Sequence, residues 1–388
     1  MRHAVFEQQV FGGRIGKVPI DQIRDAGLLN QQAKKKHLFD ADTKTATLLL
    51  QQALISTPYA IPAWLSLAEL YNDQGEKKLA FQVLEYSDQL LSGVKRWRWE
   101  KTLVDYQVGR TGMLPAELSF IIGEIPGKPR TDALQLSFTL WDNPADLLAN
   151  IGLSNIEHLF DYTIQKNLPQ KGLFFWRVIQ NSNISLSEIK TVSFLEMLLR
   201  NGDVNAANGI WKTHFHSASV IFNGDFKKRF LQQAFGWRQS SSKDFTMNYE
   251  RKADKESPGV LHYNFKGWEN VNFHHLYQIV PVDGGQHYTF SGEFKSKRLT
   301  TDQRPFIEVY GYKCNTPYAK SEMVQADQDW SSLHLNFVVS EECQAVVVRL
   351  RRQESHQIDN KLTGQMWLRN FEIEKIADPY TALDGLTE

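Results

Sequence analysis

The amino-acid sequence predicts a multidomain α + β protein, in which an N-terminal superhelix of α-helices is followed by an antiparallel β-sandwich of the jelly-roll kind. Three observations predict this class. The chain has 388 residues, enough for two or three domains at about 100–200 residues each. Up to about residue 215 the apolar residues recur with the spacing of helix faces. From about residue 217 short runs of alternating residues are separated by turn-forming clusters instead.

Changes in composition divide the chain into four segments. Residues 1–42 are polar and include a run of three lysines, and we interpret them as a partly ordered leader into the first helix. The helical domain is predicted over residues 43–216 and the sandwich over residues 217–378. The last residues, 379–388, are expected to form a loose C-terminal tail.

The helical half opens on a repeat of 34 residues. Its two sets of spaced residues are Ala46, Leu50, Ala53 and Pro58, and then Trp64, Leu67, Ala68, Tyr71, Ala80 and Leu84. Small residues in such a pattern let neighbouring helices approach closely, while the large ones fill the groove between them. The pattern resembles the tetratricopeptide repeat (TPR). Between about residues 93 and 190 the signature is lost but helical periodicity continues, so the repeats are expected to be degenerate.

The resemblance implies a concave groove through which the helices dock a partner protein. Glu69 and Asn72 lie between the packing positions of the helix at 64–71 and are the candidate residues for this groove. The alternative is that both are ordinary solvated residues on an exposed helix face.

The second half contains eight runs that we predict to be strands. They are Phe245–Glu250, Val260–Phe265, Phe273–Pro281, His287–Lys295, Phe306–Lys313, Leu333–Val339, Ala345–Arg351 and Met366–Ile373. Clusters of Gly, Asp, Asn, Ser and Pro separate them, and none has a helical period. Eight strands of this spacing predict a β-sandwich.

Three segments of this half resemble galactose-binding-like sandwiches, a group that includes many carbohydrate-binding modules. They are the opening Asn223-Gly224-Asp225-Phe226 with Gly236-Trp237, the central 277–291, and the closing Leu368-Arg369-Asn370-Phe371-Glu372-Ile373. Many sandwiches of this group bind a structural calcium ion. The sequence shows no dense cluster of Asp, Asn and Glu that requires one.

Degenerate TPR-like helices followed by such a sandwich resemble a family of bacterial proteins found alongside exopolysaccharide and exosortase machinery. The resemblance implies a non-catalytic scaffold: helices for protein docking and a sandwich for glycan recognition, in polysaccharide biosynthesis or export at the cell envelope. A purely protein–protein assembly scaffold without a sugar site is the alternative.

Charge and hydropathy bear on partners and location. Lys plus Arg number 44 and Asp plus Glu number 44, so the formal net charge is zero, and neither nucleic acid nor an anionic membrane is an expected partner. No apolar run approaches the roughly 18 residues that span a bilayer, and no signal-peptide core is visible. Two expectations therefore stay open: a periplasmic or envelope-associated protein whose leader or anchor lies outside this sequence, or a cytoplasmic one.

The two cysteines, Cys314 and Cys343, both fall in the strand-rich half. A disulfide and two buried thiols are both compatible with this pattern, because pairing cannot be read from sequence alone.

Alternation within the predicted strands points to a candidate glycan face. In each strand the polar residues share one side, because side chains on a strand point to alternate faces. If the strands are neighbours, one patch would contain Glu293, Glu308, Tyr310, Arg349 and Arg351. Charged groups and an aromatic plane suit the hydroxyls and the flat C–H face of a sugar. The alternative is a solvated sheet face with cross-strand ion pairs.

Trp268 is a sixth candidate ligand residue, because it lies in a polar loop where its ring is free to stack on a sugar. A structural role for this side chain is the alternative. Trp237 and Trp367 are expected to be core residues.

No metal site and no cofactor are expected. His214 and His216 have a spacing that suits a metal but lie at the domain junction without a nearby carboxylate or cysteine. His274 and His275 are adjacent in a predicted strand and are expected to point to opposite faces.

The sequence does not predict an enzyme. It contains no G-x-S-x-G, phosphate-loop or H-E-x-x-H motif. The one enzymatic alternative is a glycoside hydrolase that uses Glu293 and Glu308 as its carboxylate pair, which requires them on one face at a separation of about 5–9.5 Å.

Overall fold

The computed structural model describes residues 25–215, 220–250 and 257–377. The described residues fall into two compact units. The first comprises the described part of Met1–Lys166 together with Gln170–Asn183, and the second comprises Asn167–Pro169 with the described part of Ile184–Glu388.

The first unit is entirely helical within the described residues. Its helices are α1 (Ala26–Leu38), α2 (Thr43–Ser56), α3 (Ile61–Asp73), α4 (Lys77–Leu90), α5 (Arg98–Val108), α6 (Leu114–Glu124), α7 (Lys128–Leu140), α8 (Pro144–Ile151), α9 (Ile156–Gln165) and α10 (Pro169–Asn181). Two 3₁₀ turns lie at Thr111–Met113 and Leu153–Asn155. None of the helices in the described ranges is long and apolar enough to cross a bilayer.

The residues of the sequence repeat form the contacts between these helices. Ala46, Ala53 and Ala80 are fully buried, so α2 and α4 present small side chains where neighbouring helices approach. Trp64 lies in the first turn of α3, and its indole Nε1 donates a hydrogen bond to the Pro58 carbonyl at 2.8 Å. This bond fastens the turn between α2 and α3.

Helix α1 lies inside the segment that the sequence assigns to the leader. Asp25 caps it by accepting a hydrogen bond from the Leu28 amide at 3.0 Å. Leu29 and Ala33 lie one turn apart and are buried, and α1 packs on α2. The adjacent lysines make the segment look polar, although its opposite side is a packing face. Residues 1–24 and the tail at 379–388 lie outside the described residues.

A fully buried ammonium group joins three helices of the first unit. Lys101 on α5 is 0% exposed, and its Nζ lies 2.7 Å from the equally buried carboxylate of Asp105. The same Nζ contacts Asp88 of α4, and lies 3.9 Å from Glu117 of α6. Arg110 binds Asp88 at 2.7 Å from the other side. The charges in this network compensate one another around an ammonium and a carboxylate that are both fully buried.

We predict that Lys101→Met strongly destabilises the helical unit. The substitution leaves buried carboxylates without their cation, which costs roughly 3–5 kcal/mol of unfolding free energy. Urea unfolding of the full chain, followed by helical circular dichroism, measures this. The control is Lys128→Met, whose ammonium pairs with Asp132 at the surface and is 84% exposed. Equal effects of the two substitutions would contradict the structural role of the network.

The second unit contains two helices and ten strands within the described residues. The helices are α11 (Glu188–Arg200) and α12 (Val204–Phe215). The strands are β1 (Arg238–Gln239), β2 (Phe245–Glu250), β3 (Val260–Lys266), β4 (Phe273–Pro281), β5 (His287–Lys297), β6 (Phe306–Gly311), β7 (Pro317–Lys320), β8 (Gln328–Val338), β9 (Ala345–Arg352) and β10 (Thr363–Ile376).

Two antiparallel sheets form the sandwich. Sheet A has the strand order β1-β4-β9-β6-β7, and sheet B has the order β2-β3-β10-β5-β8. Their inner faces enclose a core rich in aromatic side chains, including Phe226, Trp237, Phe290 and Phe371. The predicted fold class, helices followed by a two-sheet antiparallel sandwich, is confirmed. All eight predicted strands are present, and the two further ones, β1 and β7, are too short to show a period in the sequence.

The last two helices belong to the same compact unit as the sandwich. Glu196 of α11 accepts hydrogen bonds from Arg238 at 2.6 Å and from the Ala234 amide at 2.8 Å. Trp211 of α12 packs edge-on against Phe222, with ring centroids 4.9 Å apart. The change from helix to strand falls where the sequence suggests, after α12, whereas the boundary between compact units lies near residue 183.

A disulfide bond joins Cys314 and Cys343. It links the turn after β6 to the loop before β9, across 29 residues of sequence. Gly311 is required beside it, because a Cβ at this position would collide with the Cys314 sulfur. Of the two alternatives that the sequence leaves open, the structure contains the disulfide.

We predict that replacing both cysteines by serine lowers the stability of the sandwich by about 3–4 kcal/mol, because the open chain regains the entropy of a loop of this length. Urea unfolding followed by tryptophan fluorescence measures the loss. Dithiothreitol should destabilise the wild type by a similar amount and leave the double variant unchanged. An effect of the reductant on the double variant would show that the loss has another cause.

Candidate functional site

Four of the six predicted ligand residues lie on neighbouring strands, on the outward side of sheet A. Strand β6 pairs with β9, so that Glu308 lies opposite Arg349 and Tyr310 lies opposite Val347. Strand β4 pairs with β9 from the other side and places Tyr277 opposite Arg349. We call this outward surface of β4, β9 and β6 the sheet A face. The residues of this face point outward because the alternate residues of the same strands are buried in the core.

An ion pair stacked on a ring occupies the centre of the sheet A face. Arg349 Nε donates to Glu308 Oε2 at 2.5 Å, and a second guanidinium nitrogen contacts the same carboxylate oxygen. The guanidinium carbon lies 4.4 Å from the centroid of the Tyr310 ring. The two charged side chains are 27% and 24% exposed, so both can be reached from solvent.

Tyr310 stacks on this pair, Tyr277 lies opposite Arg349, and Tyr312 lies directly after β6, towards α11. Burial raises the pKa values of Tyr310 and Tyr312, and the nearby hydroxyl of Tyr277 acts in the same direction. Both phenols therefore stay protonated at neutral pH and act as hydrogen-bond donors. The Tyr312 hydroxyl already donates to the Leu199 carbonyl at 3.0 Å.

Helices α11 and α12 close one end of the sheet A face. Helix α12 packs on β4, and Ile279 and Val347 are buried although they do not belong to the core between the sheets. Lys313 donates to the Arg200 carbonyl at 2.8 Å, where a cation is favoured by the C-terminal end of α11. The open part of the face is therefore the part that holds Glu308, Tyr310 and Arg349.

Arg351 lies at the opposite end of the sheet A face and is bound to the loop before β4. Its Nη1 donates to the Phe273 carbonyl at 3.2 Å and also contacts the Asn272 side chain. Trp268 lies four residues before Asn272, is 55% exposed, and has the Lys266 ammonium 4.6 Å from its ring centroid. Trp268 is thus a solvent-facing ring on this loop, and Arg351 positions the end of the loop.

A fully buried arginine fixes the loops at this end of the sandwich. Arg352 is 0% exposed and donates to the carbonyls of Gln303 at 3.0 Å and Asn360 at 2.7 Å, to Asn270 Oδ1 at 2.9 Å, and to the Val271 carbonyl. The oxygens come from three loops, so one guanidinium joins all three.

The nearest carboxylate in this loop cluster belongs to Asp302, which accepts a hydrogen bond from the Ser355 hydroxyl. That hydrogen bond is the largest cause that lowers the pKa of Asp302 to about 2. Asp302 is therefore ionised at neutral pH and favours the charged form of Arg352.

Glu293 lies on the other sheet, which corrects the predicted single patch. It is on β5 of sheet B and points outward, since Phe290 and Phe294 of the same strand are in the core. Arg369 of β10 binds its Oε2 at 2.6 Å, and Arg369 is stacked 4.1 Å over the Trp330 ring. The core of the sandwich separates Glu293 from Glu308. The carboxylate pair that the glycoside hydrolase alternative requires is therefore not assembled.

Two further residue predictions need correction. Trp367 was expected in the core but lies on the outer side of sheet B, stacked on His262 with centroids 4.6 Å apart, whereas Trp237 is buried as expected. The rings of His274 and His275 do not point to opposite faces but stack at 5.2 Å, because a β-bulge between Phe273 and Leu276 interrupts the alternation.

The described residues contain no cluster of three or more His, Cys, Asp or Glu side chains that could hold a metal ion. His214 lies at the end of α12 against Phe215, and His216 lies outside the described residues.

In the helical unit, the predicted groove residues Glu69 and Asn72 line one cavity of about 410 Å³ between α1, α2, α3 and α5. The sequence pattern identified both residues. It missed His37 and Lys34, which line the same cavity from α1, because residues 1–42 were interpreted as leader.

No family model matches this sequence, and no curated protein matches it. Solved structures do match part of the chain. A CBM4 structure has 14% identity and a TM-score of 0.29, covering 40% of this chain and 99% of that one. The CBM22-1 xylan-binding domain of Xyn10C from Paenibacillus barcinonensis has 13% identity and a TM-score of 0.24, covering 39% and 92%.

A match to a longer protein is the enzymatically active domain of bacteriophage CBA120 tailspike protein 4, with 9% identity and a TM-score of 0.29. It covers 41% of this chain, which spans only 21% of that one. The structural neighbours thus include carbohydrate-binding module β-sandwiches. At these identities and scores they support no argument about what this chain binds.

We predict that Arg352→Met destabilises the sandwich by at least about 3 kcal/mol, because several buried carbonyl oxygens lose their donor at a cost of roughly 1–3 kcal/mol each. Urea unfolding followed by tryptophan fluorescence gives the value. The neighbouring Arg351→Met, at a half-buried position, should cost less than half as much. The reverse order would contradict the role assigned to Arg352.

Proposed function

We propose that the sandwich recognises a glycan on the sheet A face. The observation that carries this proposal is the cluster of Tyr310, Arg349 and Glu308 on the open part of a sheet whose other end is covered by α11 and α12. Such a cluster offers donors, acceptors and a ring within one small area.

The chemistry of a sugar fits these groups. Adjacent hydroxyls form paired hydrogen bonds with a carboxylate or a guanidinium, and the C–H face of the pyranose packs on an aromatic ring. The protonated phenol of Tyr310 and the hydroxyl of Tyr277 supply further donors. Trp268, on the loop that Arg351 positions, extends the apolar contact surface beyond the strand residues.

We also infer a biological setting. The protein is a non-catalytic scaffold in envelope polysaccharide biosynthesis or export, with the helical unit docking a partner protein. The disulfide between Cys314 and Cys343 supports a location outside the reducing cytoplasm, since such bonds persist in oxidising compartments. The cavity beside Glu69 and Asn72 supports the docking role, because it offers a recessed polar surface on a helical scaffold.

A purely protein-binding scaffold is the second candidate. It is favoured by one observation: sheet B carries the same arrangement of arginine, glutamate and aromatic ring, in Arg369, Glu293 and Trp330, as sheet A does. An arrangement that occurs on both outer faces is also explained as a cross-strand stabilising device.

We predict that the full chain binds at least one glycan on an array of bacterial polysaccharide fragments, and that Tyr310→Ala weakens this binding about tenfold or more. Loss of the stacking ring at a sugar site is expected to cost on the order of 1.4 kcal/mol, which is a tenfold change. Titration calorimetry with the bound glycan measures the affinities.

The matched control is Arg369→Ala, which removes the equivalent arginine from sheet B and should leave glycan affinity within about twofold. Arg349→Ala on sheet A should weaken binding as Tyr310→Ala does. If the Arg369 variant loses binding and the Arg349 variant does not, the ligand lies on sheet B. If no glycan binds to the folded protein, the assembly scaffold becomes the better proposal.

A further inference from the structure

The cavity of about 410 Å³ in the helical unit has the dimensions of a ligand site rather than of a packing defect. Helices α1, α2, α3 and α5 contribute its walls, and all of them belong to the first compact unit. Its buried apolar lining includes Leu50 and Val108, while polar side chains line it mainly from α1 and α3. An occupant with an apolar stem and a polar end would match both parts.

One carboxylate in this cavity has no partner of its own. Glu69 is half-buried, and among the described residues no hydrogen bond or ion pair to its side chain is formed. Burial raises the pKa of Glu69, an effect that Asp73 reinforces and that Lys34 and His37 oppose. A carboxylate removed from water without a bonded partner is unfavourable, and a bound cation would compensate for that cost.

Glu69 is the acidic side chain of this lining that remains for a cationic occupant. Asp73 lies one helical turn along α3 and already binds His37 Nε2 at 2.8 Å. His37 Nδ1 is buried and unpartnered within the described part of the chain. A positively charged group of the occupant is therefore matched by Glu69.

Asn72 adds a means of holding a peptide main chain. Its side chain lines the cavity beside Glu69, and an amide group pairs with a peptide group by one donor and one acceptor bond. The stem of a long basic side chain packs along apolar walls while its head reaches a carboxylate. Within the described ranges no side chain or amide binds the oxygens of Glu69, which suits the planar fork of a guanidinium, since that group binds carboxylates through two parallel hydrogen bonds.

We propose that this cavity holds an arginine side chain from an extended peptide segment of the partner protein, with Glu69 binding the guanidinium and Asn72 the adjoining main chain. The inference rests on the proposed docking role of the helical unit and names the chemistry of its partner. Basic segments of the partner are the recognised feature, in contrast to the glycan proposed for the sandwich.

The test is calorimetric titration of the full chain with acetyl-Ala-Arg-Ala-amide. The control peptide carries citrulline in place of arginine, which keeps the shape and removes the charge. We expect saturable binding of the arginine peptide and at least tenfold weaker binding of the citrulline peptide. Equal binding of the two peptides, or no saturable binding of either, would overturn the proposal.

Two variants locate the site. Glu69→Gln should weaken binding of the arginine peptide at least tenfold, whereas Glu85→Gln, on an exposed position of α4 outside the cavity, should leave it within twofold. Circular dichroism of Glu69→Gln establishes that its fold is intact. An intact Glu69→Gln protein with wild-type affinity would overturn the assignment.

Acidification should weaken the interaction, because burial raises the pKa of Glu69 above the ordinary glutamate value of 4.5, so that its carboxylate is protonated as the pH falls into that range. Binding that strengthens as the pH falls would contradict the proposed charge complementarity.

A separate experiment measures the docking role, so that its failure can be distinguished from a failure of the cavity assignment. A photocrosslinking residue at Tyr59, which is exposed and outside the cavity, reports partner proteins that lie on the helical unit in cells. Crosslinked partners together with absent peptide binding would overturn only the cavity assignment. Absence of both would count against the docking role as well.

Discussion

The alternation of buried and outward-facing residues along the sandwich strands is the constraint on which the rest of the second unit depends. Each strand places alternate residues in the aromatic core, so its remaining residues must face outward. In β6 the burial of Ile307 and Val309 forces Glu308 and Tyr310 onto the sheet A face. In β5 the burial of Phe290 has the same effect, but the outward side there belongs to sheet B. The core thus decides which polar residues can cooperate in one site.

This constraint explains how much the sequence could predict. Period-two alternation identified Glu308, Arg349 and Glu293 as outward-facing, and in each strand that assignment is correct. The sheet to which a strand belongs depends on pairing between segments far apart in sequence, which alternation does not report. Glu293 was therefore grouped with residues that lie on the far side of the core. Similarly, Tyr277 joins the face only through the pairing of β4 with β9.

Local irregularities account for the other differences. The bulge at the start of β4 places His274 and His275 on the same side, and no residue pattern marks it. Helix α1 was hidden because its lysines dominate the composition of residues 1–42, although two buried positions are enough to pack it on α2. The boundary between compact units depends on bonds such as that from Arg238 to Glu196, which join segments 42 residues apart. These features arise from tertiary contacts rather than from local propensity.

Each unit also contains a fully buried cation, and the two are stabilised differently. Lys101 is surrounded by carboxylates, so its network is neutralised by opposite charge. Arg352 is surrounded by carbonyl and amide oxygens, so it is satisfied by hydrogen bonds while Asp302 and Glu354 balance its charge from a distance. A guanidinium suits the second environment, because it has five donors in a plane and a more diffuse charge than an ammonium.

The two outer faces of the sandwich carry a similar local arrangement of side chains, but only the sheet A face is proposed to bind a ligand. Arg349 with Glu308 and Tyr310 on sheet A has nearly the same geometry as Arg369 with its partners on sheet B, and the side-chain exposures are also alike. The arrangement alone therefore does not define a binding site, because it also stabilises a sheet by cross-strand pairing. What distinguishes sheet A is its surroundings: further tyrosine hydroxyls, a helix pair that closes one end, and a loop with an exposed tryptophan at the other. The proposed recognition is consequently a property of the whole sheet A face rather than of any one charged pair.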